Sequence, residues 1–199
     1  MHYKKRTATI ILTTLFILTL GLLPTLQAAE FSADMESKSK GQIVSQGKIF
    51  MKGDLSRQEM TMGGRQVIII NRPDKSLAWT LMVQGKSYLE VPVNHEDKEM
   101  MPGNWNVELA KGSKKLGNET VNGIKCNKYE LTNEGEKVTY WISEKDDVPI
   151  RIISSDMEIN YRNINIDTQP DKLFQVPTGY RKIVMPNIPG MQGMPRRER

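Results

Sequence analysis

The sequence predicts a mainly β (α+β) fold: an antiparallel, open or half-closed β-barrel with a short helical lid or plug. Three observations carry that expectation. Apolar and polar residues alternate along most of 31–92 and 120–161, the period of strands with one covered face and one wet face. Short Gly and Asn turns separate the alternating runs, as at Gly53-Asp54, Gly63-Gly64, Gln84-Gly85 and Asn122-Gly123. Finally, one long meander of antiparallel strands twists, and a large twisted sheet curls towards a barrel.

The elements follow in order. Residues 1–29 read as an export signal. Lys4, Lys5 and Arg6 precede the apolar run Ala8–Leu23, and Pro24 breaks it before the small residues Ala28-Ala29, where a peptidase would cut. That places the mature protein in a periplasm. Phe31–Lys40 is expected as an opening edge strand. Ile43–Lys52 follows, with Ile43, Ile49 and Met51 on one face. Leu55–Met62 is its partner, with Met60 and Met62 on one face and Arg57 and Glu59 on the other. Gln66–Asn71 is an apolar run expected to be buried on both sides. Pro73-Asp74 turns the chain into Leu77–Met82, which pairs with Lys86–Val91.

Asn94–Lys111 breaks the pattern. Asn94 caps a short helix over His95–Met101, and Trp105, Val107 and Leu109 are placed to pack on the sheet, where a lid would sit. Lys111–Lys115 is read as a loop. Strands then cover 120–131, Val138–Ile142, Pro149–Ile153 and Met157–Tyr161, and the run closes on Phe174–Tyr180. A single domain over 30–182 accounts for these elements, followed by a flexible Pro/Gly/Met tail at 183–199.

Composition narrows the function. The chain holds 28 Lys and Arg against 23 Asp and Glu; without Lys4, Lys5 and Arg6 the balance is 25 to 23, so net charge argues no nucleic-acid partner. Cys126 is the one cysteine, so no internal disulfide forms, and its strand position predicts burial. Past the signal there is one histidine, His95, with no G-x-S-x-G elbow and no second nitrogen ligand for zinc. The expectation is a non-enzymatic protein with no cofactor and no metal. Methionine is abundant, 12 in all, with Met60-Thr-Met62 placing two thioethers on one strand face. Such sulfurs serve adaptable apolar packing or, in a rival reading, soft Cu(I) binding.

In their order and spacing, several short motifs resemble the LolA/LolB-type periplasmic lipoprotein-carrier superfamily, and more closely an uncharacterised Met-rich domain family near it. They are Lys48-Ile-Phe-Met-Lys-Gly-Asp54 with Arg57-x-Glu59, Asn71-Arg-Pro-Asp-Lys75 with Trp79, and Tyr88-Leu-Glu-Val-Pro92. The second half adds Gly117-x-Glu-Thr-Val-Asn-Gly123, Cys126-Asn-Lys-Tyr129, Tyr140-Trp141, Pro149-Ile-Arg151 and Phe174-x-Val-Pro-x-Gly-Tyr180. The resemblance implies an open β-barrel with helices across its mouth that receives a lipid or a lipoprotein acyl group. The carriers' Arg-Pro pair after the second strand is replaced here by Gly53-Asp54, with Arg57 as a loose substitute. Apolar residues repeated on strand faces, Ile49, Met51, Met60, Met62, Trp79, Leu81, Tyr140 and Ile142, are the expected ligand contacts. Envelope proteins are the alternative partner, as for the RseB-like stress regulators of that superfamily.

Overall fold

A computed structural model describes residues 30–94, 112–133 and 135–184. The expected signal segment, the helix at His95–Met101 with the lid residues Trp105, Val107 and Leu109, and the tail from 185 onward lie outside the described residues.

Among the described residues, twelve strands form one sheet: β1 Glu30–Ser39, β2 Gln42–Lys52, β3 Leu55–Met62, β4 Arg65–Arg72, β5 Leu77–Met82, β6 Ser87–Pro92, β7 Lys114–Val121, β8 Ile124–Asn133, β9 Glu136–Ser143, β10 Pro149–Ile153, β11 Met157–Asn165 and β12 Arg181–Lys182. Their order is β12-β6-β5-β4-β3-β2-β1-β11-β10-β9-β8-β7, so two meanders are zipped together by β1 against β11 and the sheet does not close. Every pair is antiparallel except β12 on β6. The sheet is thus the open, mainly β architecture expected from the alternation.

Several turns take the conformation their residues favour. Gly63 and Gly64 both have positive φ (55° and 74°), as do Asn122 and Gly123 (52° and 80°), which gives two-residue hairpins whose twist matches the strands. Gly47 is a different case. A Cβ built there would collide with the carbonyl oxygen of Glu59, so β2 and β3 approach each other only because this residue has no side chain.

Register sorts the side chains onto two faces. Phe31, Ala33 and Met35 stand opposite Met51, Ile49 and Gly47, which stand opposite Ser56, Gln58 and Met60. On the other side of β1, Met35 faces Tyr161, and the row continues through Ile159, Ile152, Tyr140 and Tyr129. This first face carries most of a buried cluster spanning both meanders: Phe31, Met35, Ile49, Met51, Met60, Tyr140, Ile142 and Tyr161, with Leu131 and Ile150. The second face of the first meander carries a smaller cluster of Ile70, Trp79, Leu81 and Phe174.

The structure corrects several expectations. β1 is central, because the chain returns along it with β11 after β2 has already paired the other side. The run Gln66–Asn71 buries Ile70 and Asn71 but leaves Ile68 and Ile69 half-buried. Lys114 already belongs to a strand, although the stretch reads as a loop. Phe174 sits at the end of a 3₁₀ turn over Asp171–Phe174. From there the chain runs as a strap over the second face, with Leu173, Val176 and Tyr180 also packed on that cluster.

Candidate functional site

The site is best built from β2, β3 and β4, where three adjacent strands place Gly47, Met60 and Val67 side by side on the first face. Gly47 stands between Met35 and Met60, which lie opposite it on either side. Across the same strands a shallow cavity of about 320 Å³ lies on the second face, lined by Gln46, Lys48, Glu59, Thr61, Gln66 and Ile68 among others. Its size lies at the lower limit of small-molecule pockets.

Further along the first face the row becomes polar. Ser56 and Asn71 are buried opposite each other, and the Asn71 Nδ2 donates to the Ser56 Oγ at 2.8 Å. The row is therefore apolar around Met60 and internally satisfied at its other end.

The second face is held shut by cations. From β3, the Arg57 Nη1 donates to the Leu173 carbonyl at 3.0 Å while its Nε bonds Glu59 at 2.7 Å. Arg72 on β4 donates to the Phe174 carbonyl at 2.9 Å and pairs with Asp74. Lys52 on β2 reaches Asp171 at 2.6 Å and the Gln169 carbonyl at 3.3 Å. These three cations from successive strands bracket Phe174, which is fully buried. Lys52 holds the Asp171 carboxyl below its usual range, and Arg72 does the same to Asp74.

Trp141, next to Tyr140 on β9, faces the other way. The Lys128 ammonium lies 4.7 Å and the Arg151 guanidinium 5.4 Å from its ring centroid. Its indole Nε1 donates to Glu119 at 3.0 Å, and that bond, with one from Lys128, lowers the Glu119 pKa. Trp79 is tied similarly to Glu90 at 2.9 Å. Both are braces: each carboxylate is spent on an indole and a lysine, Lys128 for Glu119 and Lys182 for Glu90.

The structure brings Ile49, Met51, Met60, Tyr140 and Ile142 into the one first-face cluster. Trp79 and Leu81 stand on the second face beneath Phe174, so they do not share a site with the others. Met62 lies at the strand end, 49% exposed. Cys126 is buried, and burial raises its thiol pKa. Among the described residues, no three of His, Cys, Asp and Glu come together in a metal-holding group. Sequence reasoning did not single out Gly47, nor the anchoring roles of Arg72 and Phe174. For Gly47, the available signal was a glycine inside an alternating strand, which marks a close backbone approach.

A family model described as "Domain of unknown function (DUF4412)" matches residues 32–148. No curated protein matches the chain at a significant level. Among solved structures, an uncharacterized conserved protein from Thermus thermophilus is 10% identical, with 78% of this chain and 90% of that chain covered and a TM-score of 0.56. The MucA/MucB complex of Pseudomonas aeruginosa gives 11% identity, 74% and 56% coverage and a TM-score of 0.48. A putative outer membrane lipoprotein-sorting protein domain from Vibrio parahaemolyticus gives 11%, 73% and 89%, with a TM-score of 0.35. The first of these shares the fold.

Proposed function

The chain belongs to the DUF4412 family, and from that premise we propose that it is a non-enzymatic binding protein of the bacterial periplasm that takes an acyl chain or similar apolar ligand against its first face. One observation carries the reading: a single apolar cluster runs across both meanders of a sheet that does not close. The sequence resemblance to lipoprotein carriers supports the ligand class. The driving force is transfer of methylenes from water, about 0.8 kcal/mol each, so eight of them contribute roughly 6 kcal/mol before the cost of ordering. The cluster is buried, so an acyl chain must part it to enter. The methionines there, Met35, Met51 and Met60, suit that task because their unbranched thioethers repack readily.

Titration with a fluorescent fatty-acid analogue tests the proposal. Saturable uptake is expected, weakened at least about tenfold by Val67→Glu, which places a charge on the half-buried first face beside Met60. No uptake, or uptake indifferent to Val67→Glu, overturns it.

A protein-interaction module is the second reading. It is favoured by the near-complete burial of Ile49, Met51 and Leu81, as in a packed scaffold.

A further inference from the structure

Three hairpin tips at one end of the first meander share a composition that its other end lacks. They lie at Lys40-Gly41 between β1 and β2, at Gly63-Gly64 between β3 and β4, and at 83–86 between β5 and β6. Because these strands are neighbours in one sheet, successive tips stand roughly 10 Å apart. Residues 37–47, 60–67 and 80–89 contain no Asp or Glu. Lys40, Arg65 and Lys86 project from them, exposed and without a carboxylate partner among the described residues. Lys38, by contrast, is neutralised by Glu36 at 3.1 Å.

Large apolar side chains stand among these cations: Ile43 is 53% exposed, Val44 47% and Met62 49%. The turns at the opposite end of the same strands carry Asp54 and Asp74 with Lys75, and the loop of the second meander at that end carries Glu144, Asp146 and Asp147 with Lys145, so acids outnumber bases there. Charge is thus segregated along the strands, although the total is nearly balanced. The patch ends at the neighbouring tip between β10 and β11, where Met157 is 42% exposed but Asp156 brings a negative charge.

The backbone gives a second reason to single out the lysines. Lys40 and Lys86 sit at φ 50° and 41°, in the left-handed region. Glycine or asparagine fits such turn positions at lower cost, so turn geometry does not account for a lysine at either place.

We propose that this end of the sheet docks on the surface of an anionic bilayer, with Lys40, Arg65 and Lys86 at the headgroups and Ile43, Val44 and Met62 in the interfacial zone. Basic residues beside apolar side chains on protruding tips are the combination that gains from both headgroup attraction and shallow insertion. Docking of this kind needs no occupied cavity, so it stands whether or not the first face takes a ligand.

The test uses the full mature chain and sedimentation with vesicles of phosphatidylcholine and phosphatidylglycerol, against phosphatidylcholine alone. Binding is expected only with phosphatidylglycerol, weakening as salt is raised. The variant Lys40→Asn, Arg65→Gln, Lys86→Asn keeps the turns, since asparagine tolerates positive φ, and is expected to bind on the order of 100-fold more weakly. A second variant, Ile43→Ser with Val44→Ser, is expected to lose binding while nearly retaining the melting temperature, because both side chains are about half exposed. Uptake of the fatty-acid analogue is expected to be unchanged in both variants. Equal binding to both vesicle types, no binding to either, or binding that survives the triple substitution overturns the proposal. Lipid carried into solution by the triple variant with vesicle binding intact would assign the effect to ligand extraction and overturn it as well.

Discussion

Replacing Phe174 by alanine isolates the contribution of the strap. The ring is fully buried against Ile70, Trp79 and Leu81, and the carbonyls of Leu173 and Phe174 accept from Arg57 and Arg72 on either side of it. Truncation removes the transfer energy of the ring and leaves a cavity, together about 3–5 kcal/mol for a buried phenylalanine. That is a large share of the roughly 5–15 kcal/mol typical of whole domains. In urea, at a slope near about 2 kcal/mol per molar, the midpoint should fall by roughly 2 M. Equilibrium unfolding followed by tryptophan emission reads the shift, since Trp79 lies in the same cluster. Hydrogen exchange adds the location. The amides of Arg181 and Ile183, bonded to the carbonyls of Lys86 and Tyr88 at 2.9 and 2.8 Å, should lose protection first. A loss below about 1 kcal/mol, the level of an ordinary surface change, with both amides still protected, would refute a strap held by this ring.

Further consequences follow from other parts of the sheet. Gly47→Ala drives a Cβ into the Glu59 carbonyl, and should cost about 1–3 kcal/mol as β2 and β3 separate, read from the thermal midpoint; an unchanged midpoint would contradict the close approach. Glu119, Glu90 and Glu158 are all held below the ordinary glutamate value of 4.5, chiefly by hydrogen bonds from Trp141, Lys182 and Asn160 respectively. Folded values below unfolded ones mean that their stabilisation is complete above about pH 4.5 and is lost as pH falls through the folded values. Melting temperature should therefore be flat down to about that pH and decline below it, and a rise on acidification would contradict these pairings. Tyr161 behaves in the opposite sense: complete burial pushes its hydroxyl well above 10, so the stability it contributes is present below about pH 10 and is lost as pH climbs beyond it. Absorbance titration should show tyrosine that ionises only on unfolding; ionisation of every tyrosine with the fold intact would contradict this burial.

The meander was legible because the local chemistry is unambiguous. Asn122-Gly123 and Gly63-Gly64 can hardly be anything but hairpin turns, and Leu55–Met62 matches its strand to the residue. What local pattern does not contain is strand order. Glu30–Ser39 reads like any half-covered strand, and only the return of β11 makes it central. Face assignment fails for a related reason. Trp79 and Met60 each alternate correctly within their own strands, but whether they share a face depends on registers accumulated over β3, β4 and β5, where one slip inverts the answer. β7 escaped notice because Lys114–Val121 is exposed along nearly its whole length and so has no apolar period. β12 is two residues long and parallel to β6, a pairing that no hairpin signal announces. The basic tips were hidden in a balanced total charge until adjacent strands lined them up.

Photo-crosslinking with a diazirine-bearing fatty acid, followed by peptide mapping of the labelled sites, addresses apolar-ligand binding by the first face directly. Labels are expected to concentrate on β2, β3 and β4 around Gly47, Met60 and Val67, to extend to Met35 and Tyr140, and to be competed away by unlabelled fatty acid. Labels confined to the Phe174 strap, or spread without competition over the exposed strands, would contradict binding at that face.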